Sequence, residues 1–186
     1  AQVVIVNDKS QLQYSDWLVP YGRARFADFK VIETEDYERY ELNGYGNPSY
    51  AFNVGLAAAE GDRVFLVSSD VIVSQKAQQR ASKEEVWTCR IVDTDTSAEY
   101  CGPSRYFPMP WFLAAPRRAL MEIGGWDQGY LKGLCFEDND LLGRLGLHCG
   151  IVLGDWSTTS YHLSHHQPAY VATDDEVIRA NRINQE

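Results

Sequence analysis

The sequence has no C-x-x-C pair, no paired-histidine pattern beside its cysteines, and no apolar run near the ~20 residues needed to cross a bilayer. These absences argue against a structural zinc module and a membrane-spanning segment, and no charged-then-apolar leader stands ahead of Val3. The single N-x-S/T triplet, Asn47-Pro48-Ser49, carries a proline that bars glycosylation, so nothing points to secretion and the reading leans to the cytoplasm. Basic residues are few, 17 Lys and Arg against 26 Asp and Glu, for a net charge of −9. Nucleic acid is held by clustered Lys and Arg, so no nucleic-acid partner is expected. A nucleotide carried with a divalent cation is still compatible, because the cation offsets local acids and the diphosphate together. Cys89, Cys101, Cys135 and Cys149 leave two disulfides or four thiols equally open.

What is present suits one globular domain. The 186 residues are 45% hydrophobic and 12% aromatic, enough to bury a core. With no repeat, low-complexity tract or boundary, residues 1–186 read as a single domain, which can itself belong to a longer protein. The most informative stretch is Gly124 to Leu145, GGWDQGYLKGLCFEDNDLLGRL. Paired glycines and an aromatic loop (Trp126, Tyr130, Phe136) lead into Glu137-Asp138-Asn139-Asp140, and then Leu141, Leu142 and Leu145 recur at helical spacing. Acids ahead of such a run mark a helix start, where carboxylates meet the positive end of the helix dipole. A carboxylate fixed there suits a general base better than one on a loop.

A second stretch, Asn47 to Val73, reads as a Pro turn, a small-residue helix (Asn53 to Ala59), a Gly61-Asp62 turn and a strand Val64–Val67 leading to Asp70. Together the two stretches resemble nucleotide-sugar glycosyltransferases of the GT-A fold, especially the inverting family 2 and its animal relatives. The resemblance rests on an ordered set: Asn53, Gly55, Ala59, Gly61, Asp62 and Asp70; Arg117 or Arg118, Leu120, Ile123 to Asp127; Glu137, Asp138, Asp140, Leu141, Arg144, Leu145 and Gly150; then His162. It covers roughly residues 47–166.

Elsewhere, Val3–Val6 reads as a strand and Leu12 to Arg25 as a helix interrupted near Pro20. Phe29 to Thr34 is a second strand closing on Glu35-Asp36. Against the resembled families two registers stand open: Val3–Val6 is the first strand and Phe29–Asp36 the second, or Val3–Ser10 is already the second. The first is preferred, because the first strand and its crossover line the base pocket. Further on come a polar helix (Gln75 to Glu85), strands at Val86–Val92, Phe112–Ala115 and Gly150–Asp155, a helix Arg117–Ile123 ended by Gly124, and a tail helix Asp174–Asn184. The tyrosines Tyr37, Tyr40, Tyr45 and Tyr50 read first as structural. Asp93-Thr94-Asp95 reads as a solvated turn.

The resemblance implies an α/β, Rossmann-like architecture with a mostly parallel central sheet flanked by helices. It implies metal-assisted transfer of a sugar from a nucleoside-diphosphate donor, UDP-linked by preference, to a hydroxyl of a carbohydrate acceptor. It casts Asp138 as the inverting base and Glu137 as the acceptor's hydrogen-bonding partner, with Trp126 stacking on an acceptor sugar and Gly124-Gly125 as a loop hinge. Asn7, Glu35, Asp36, Asn53, Ser69 and Asp70 fall at nucleotide positions. Asp70 and His162, with His165 as the fallback, are the implied ligands of Mn2+ or Mg2+. The families carry another acid two residues before the Asp70 position, where this chain has Ser68. The rivals are a module of the same fold that binds without turnover and a nucleotidyltransferase, although Asn7–Ser10 lacks the Gly-rich basic loop of the latter.

Overall fold

The computed structural model describes residues 1–10, 15–39, 41–42, 45–80, 85–103, 109–133, 136–150 and 152–164. Tyr40, Cys135, His165, His166 and the expected tail helix lie outside them. The chain opens with β1 (Gln2–Asn7), α1 (Ser15–Arg25) and β2 (Asp28–Glu33). β1 and β2 pair in parallel through their whole length, from Gln2 opposite Asp28 to Asn7 opposite Glu33. This strand–helix–strand unit is common to both registers, and it forms a two-stranded sheet of its own. The helix is not interrupted as expected: α1 carries Pro20 internally, on an exposed position where water can take the carbonyl that loses its donor.

A small antiparallel pair, β3 (Glu41–Leu42) and β4 (Tyr45–Gly46), precedes α2 (Ser49–Ala58). Then follow β5 (Arg63–Val67), β6 (Val71–Ile72), α3 (Gln75–Arg80), β7 (Trp87–Asp93), β8 (Glu99–Cys101), β9 (Phe112–Pro116) and α4 (Arg117–Glu122). A 3-10 helix (Gln128–Lys132), α5 (Glu137–Cys149) and β10 (Leu153–His162) complete the described order. The last strand continues well past Asp155, where the sequence suggested it would stop.

The central sheet has the order β5-β9-β7-β10-β6, with β8 alongside β7. It is mixed where a mostly parallel sheet was expected. β9 is inserted between β5 and β7 and runs antiparallel to both, while β7 and β10 are parallel. β5, β7 and β10 therefore point the same way, and their carboxyl ends share one edge. In α/β sheets that edge is where ligands bind.

β9 shows why the sheet is central. Leu113 and Ala115 face one core with Leu56, Val64, Leu66, Leu120, Leu141 and Leu145, drawn from α2, β5, α4 and α5. Phe112 and Ala114 face the other, with Trp87, Cys89, Ile91 and Ala77. Helices thus cover both faces, and burying Phe or Leu side chains this way is worth roughly 1.5–3 kcal/mol each. α2 joins the short parallel pair to this sheet: Leu56 packs in the first core, and a Cβ at Gly55 would stand 3.2 Å from Val6. The turn at Gly61-Asp62 reverses the chain between α2 and β5, so the start of α2 lies toward the same carboxyl edge. Cys89 and Cys101 are buried free thiols. No described helix is long and apolar enough to cross a membrane.

Candidate active site

The mouth of α5 holds the acids that the sequence singled out. Glu137, Asp138 and Asp140 occupy its first turn, and the residue before them, Phe136, has φ +69°. A bulky residue in left-handed backbone costs on the order of 1–2 kcal/mol and tends to mark a functional constraint. Glu137 is buried, and its Oε2 accepts from Asn47 Nδ2 at 2.9 Å. Burial raises its pKa, opposed by its own backbone amide at the helix start and by Asn47. Asp138 is pushed up to about 8, first by desolvation and then by the neighbouring Glu137 carboxylate. The Trp126 indole N–H acts the other way, near enough to favour the Asp138 anion but short of a hydrogen bond of normal geometry. Asp138 itself stays half-buried, with part of its surface open to solvent. A partly open proton acceptor with a raised pKa is fitted to general-base work.

The glycine pair upstream is a helix terminus. Gly124 N–H donates to Met121 O at 3.1 Å and Gly125 N–H to Leu120 O at 2.9 Å, the paired bonds of a Schellman cap, with φ of +83° and +68°. The expected role of Gly124 after the helix is met. Asn53 clamps the next residue from both sides, donating to Trp126 O at 2.7 Å and accepting from Trp126 N–H at 2.8 Å. Arg144 grips the same segment, donating to Ile123 O and Gly125 O at 2.8 Å each while paired with Asp140. Trp126 is likewise not an open platform: it is buried and stacked on Phe52, ring centres 4.6 Å apart. Stacking on an acceptor sugar is thereby corrected to packing under the acids, and the Asn53 side chain serves the loop rather than standing free for a nucleotide. A cleft of about 380 Å3 opens beside the loop, lined by Asn53, Gly124, Trp126, Asp127 and Arg144 among others.

The implied metal ligands meet. Asp70 lies in the turn after β5 and His162 ends β10, with His162 Nε2 3.4 Å from Asp70 Oδ2. Leu163 N–H to Asp70 O at 2.7 Å and the pairing of His162 with Val71 hold the two segments together. That separation is close to the spacing of adjacent ligands around a divalent cation with bonds of about 2–2.5 Å. The pair fits as two adjacent positions in the coordination sphere of a divalent cation. Among the described residues no group of three or more His, Cys, Asp or Glu side chains is placed to hold a metal alone. Ser69 is exposed in the same turn. His165 lies outside the described residues.

Sequence reasoning missed Asp93, which is the last residue of β7 and buried rather than a solvated turn. Its Oδ2 stands 3.4 Å from His162 Nδ1. Hydrogen bonds from the Ser164 hydroxyl and the Thr96 amide hold its carboxyl well below the usual range. Only the pairing of β7 with β10 reveals it.

At the carboxyl end of β1 and β2, Asn7 donates to Glu33, while Glu35 and Asp36 are exposed, the latter 3.8 Å from Lys9 Nζ. The organised group here is another that the sequence reading passed over. Asp8 accepts from Thr34 Oγ1 and Tyr37 OH and is ion-paired with Arg39. Burial and the Asp8 carboxylate push the Tyr37 hydroxyl up to about 12. Tyr37 packs on Tyr50 at the start of α2, ring centres 4.1 Å apart, which brings this group to the common edge.

No family model matches the sequence, and no curated protein matches it. Solved structures do match. The structure of GalNAc-T7 with UDP, GalNAc and Mn2+ superposes on the whole chain with a TM-score of 0.65 at 14% identity. A mannosyltransferase from Pyrobaculum calidifontis, PcManGT, in complex with GDP-Man and Mn2+, covers 99% of the chain with a TM-score of 0.58 at 16% identity. The fold is GT-A. The catalytic domain of Drosophila beta1,4-galactosyltransferase 7, in complex with xylobiose, gives a TM-score of 0.55 at 14% identity over the whole chain. The chain spans 42% and 51% of the first two proteins and 80% of the third. On the GT-A frame the acids of α5, the Asp70–His162 pair and the Asp8 group all fall on the carboxyl edge of the strands.

Proposed function

We propose that this chain carries the donor site and the base of a glycosyltransferase. It moves a sugar from a UDP-linked donor, with GDP as the alternative, to a hydroxyl of a carbohydrate acceptor, with inversion. The observation that carries this reading is the meeting of Asp70 and His162, remote in sequence, at 3.4 Å on the edge where the fold binds ligands. The GT-A neighbours solved with UDP or GDP-Man and Mn2+ support it. Asp70 and His162 would hold the cation, and a carboxylate with an imidazole suits Mn2+ better than Mg2+, which prefers oxygen alone. When bound, the cation offsets the diphosphate's charge and that growing on the leaving group. Asp138 takes the proton from the acceptor hydroxyl, and Glu137, anchored by Asn47, orients that hydroxyl. Asn7, Ser69, Glu35 and Asp36 line the approach of the nucleoside.

A second reading, a GT-A module that binds nucleotide without turnover, draws on Ser68 standing where the resembled families carry an acid. The two separate in one assay: release of UDP or GDP from a panel of nucleotide sugars with Mn2+, with and without mixed oligosaccharide acceptors. Acceptor-stimulated release is expected. Donor binding with no stimulated release would establish the module instead.

A further inference from the structure

We infer that Asp93 is a positioning residue that fixes the tautomer of His162 so that its Nε2 lone pair faces Asp70 and the cation. The assignment rests on the metal reading above and extends it to a residue outside the coordination sphere. His162 is buried between its two carboxylates, Nε2 toward Asp70 and Nδ1 toward Asp93, each at 3.4 Å. A neutral imidazole has one N–H and one lone pair, and only a nitrogen carrying the lone pair can bind a metal. A carboxylate at Nδ1 accepts and cannot donate. Asp70 faces Nε2 at the same distance, but its side chain is 33% exposed and screened by water, whereas that of Asp93 is 3% exposed. Asp93 therefore draws the proton to Nδ1 and leaves the lone pair on Nε2, the way outer carboxylates orient metal-binding histidines. Trp111 and Tyr100 pack against the ring, centres 5.2 and 4.8 Å away, and limit its rotation.

The two oxygens of Asp93 divide the work. Oδ1 takes the Asp95 amide (3.1 Å), the Thr96 amide (2.8 Å), the Thr96 hydroxyl (2.8 Å) and the Ser164 hydroxyl (2.6 Å). Oδ2 is left to Tyr100 OH at 3.3 Å and to His162. This asymmetry makes Asp93→Asn a sharp test. The donors around Oδ1 oblige the asparagine to keep its carbonyl there and turn its NH2 toward Nδ1. A donor facing Nδ1 moves the ring proton to Nε2, where it blocks the metal. The fold's own bonds at Oδ1 are retained.

The experiment combines nitrogen-15 NMR of the histidine side chains with Mn2+ titration followed by EPR, on the full wild-type chain and on Asp93→Asn. The expected result is the Nδ1–H form of His162 in the wild type, the Nε2–H form in the variant, and a loss of Mn2+ affinity of about 10–100-fold. A wild-type Nε2–H form overturns the inference, and this readout stands even where the variant does not fold. Reduced affinity with an unchanged tautomer also overturns it, since charge rather than the ring proton would then be responsible. A wild-type chain that shows Nδ1–H but binds no Mn2+ overturns the metal reading, and with it this role for Asp93.

Discussion

Replacing Asp138 with Asn is expected to lower turnover by roughly 10²–10⁴-fold, the usual worth of a positioned base, while donor affinity stays unchanged. The same substitution is expected to leave the protein as stable or more stable near pH 8. Burial and the Glu137 carboxylate raise the Asp138 pKa from 3.8 to about 8. Between those values the folded state holds a proton that the unfolded state has lost, so stability is highest below the unfolded pKa and falls as pH rises through the folded one. Asn cannot ionise and removes that loss. For wild type, kcat/KM should climb with pH toward a plateau above the raised pKa, because the base must be deprotonated to act. Steady-state rates and thermal melts across pH 5–9 check both signs. Loss of activity with a matching loss of stability would make Asp138 a structural residue instead.

Gly125→Ala is expected to be far more damaging than Gly124→Ala, although both glycines have positive φ. A Cβ at Gly125 would sit 2.3 Å from Asn53 Oδ1, whereas one at Gly124 meets nothing within 4 Å. Left-handed backbone costs Ala about 1–2 kcal/mol at either site. At Gly125 the clash also displaces Asn53, whose two bonds to Trp126 are worth roughly 0.5–1.5 kcal/mol each. The sum, about 3 kcal/mol, corresponds to a Tm drop of roughly 6–12 °C at this chain length. Gly124→Ala should cost only the backbone share, about 1–2 kcal/mol. Equal losses in thermal melts would contradict the clamp described for the Gly-Gly-Trp loop.

The parts of this site that the sequence revealed are those encoded locally. Glu137 and Asp138 announce a helix start because acids precede leucines at helical spacing, and Gly124 announces a helix end because only glycine adopts that φ freely. Asp70 and His162 were legible through the ordered resemblance, since no local signal connects residues so far apart. What was misread depends on distant chain. Trp126 looks like a loop aromatic until Phe52 covers it, and Asn53 looks free until it turns to the Trp126 backbone. Asp93 sits in a polar D-T-D-T run that imitates a surface turn, and its burial follows from β10 pairing beside it. Strand direction was hidden for the same reason: nothing within Phe112–Pro116 states that it will insert between β5 and β7 and run against both.

A cation-dependent nucleotide site built on Asp70 and His162 underlies the proposed reaction. Calorimetric titration with UDP and with GDP, each with and without Mn2+, on wild type and on Asp70→Ala, tests it most directly. Mn2+-dependent binding, tighter for UDP than for GDP, that disappears in Asp70→Ala is the expected result. Binding that is indifferent to Mn2+ and to Asp70, or no binding of either nucleotide, would contradict it.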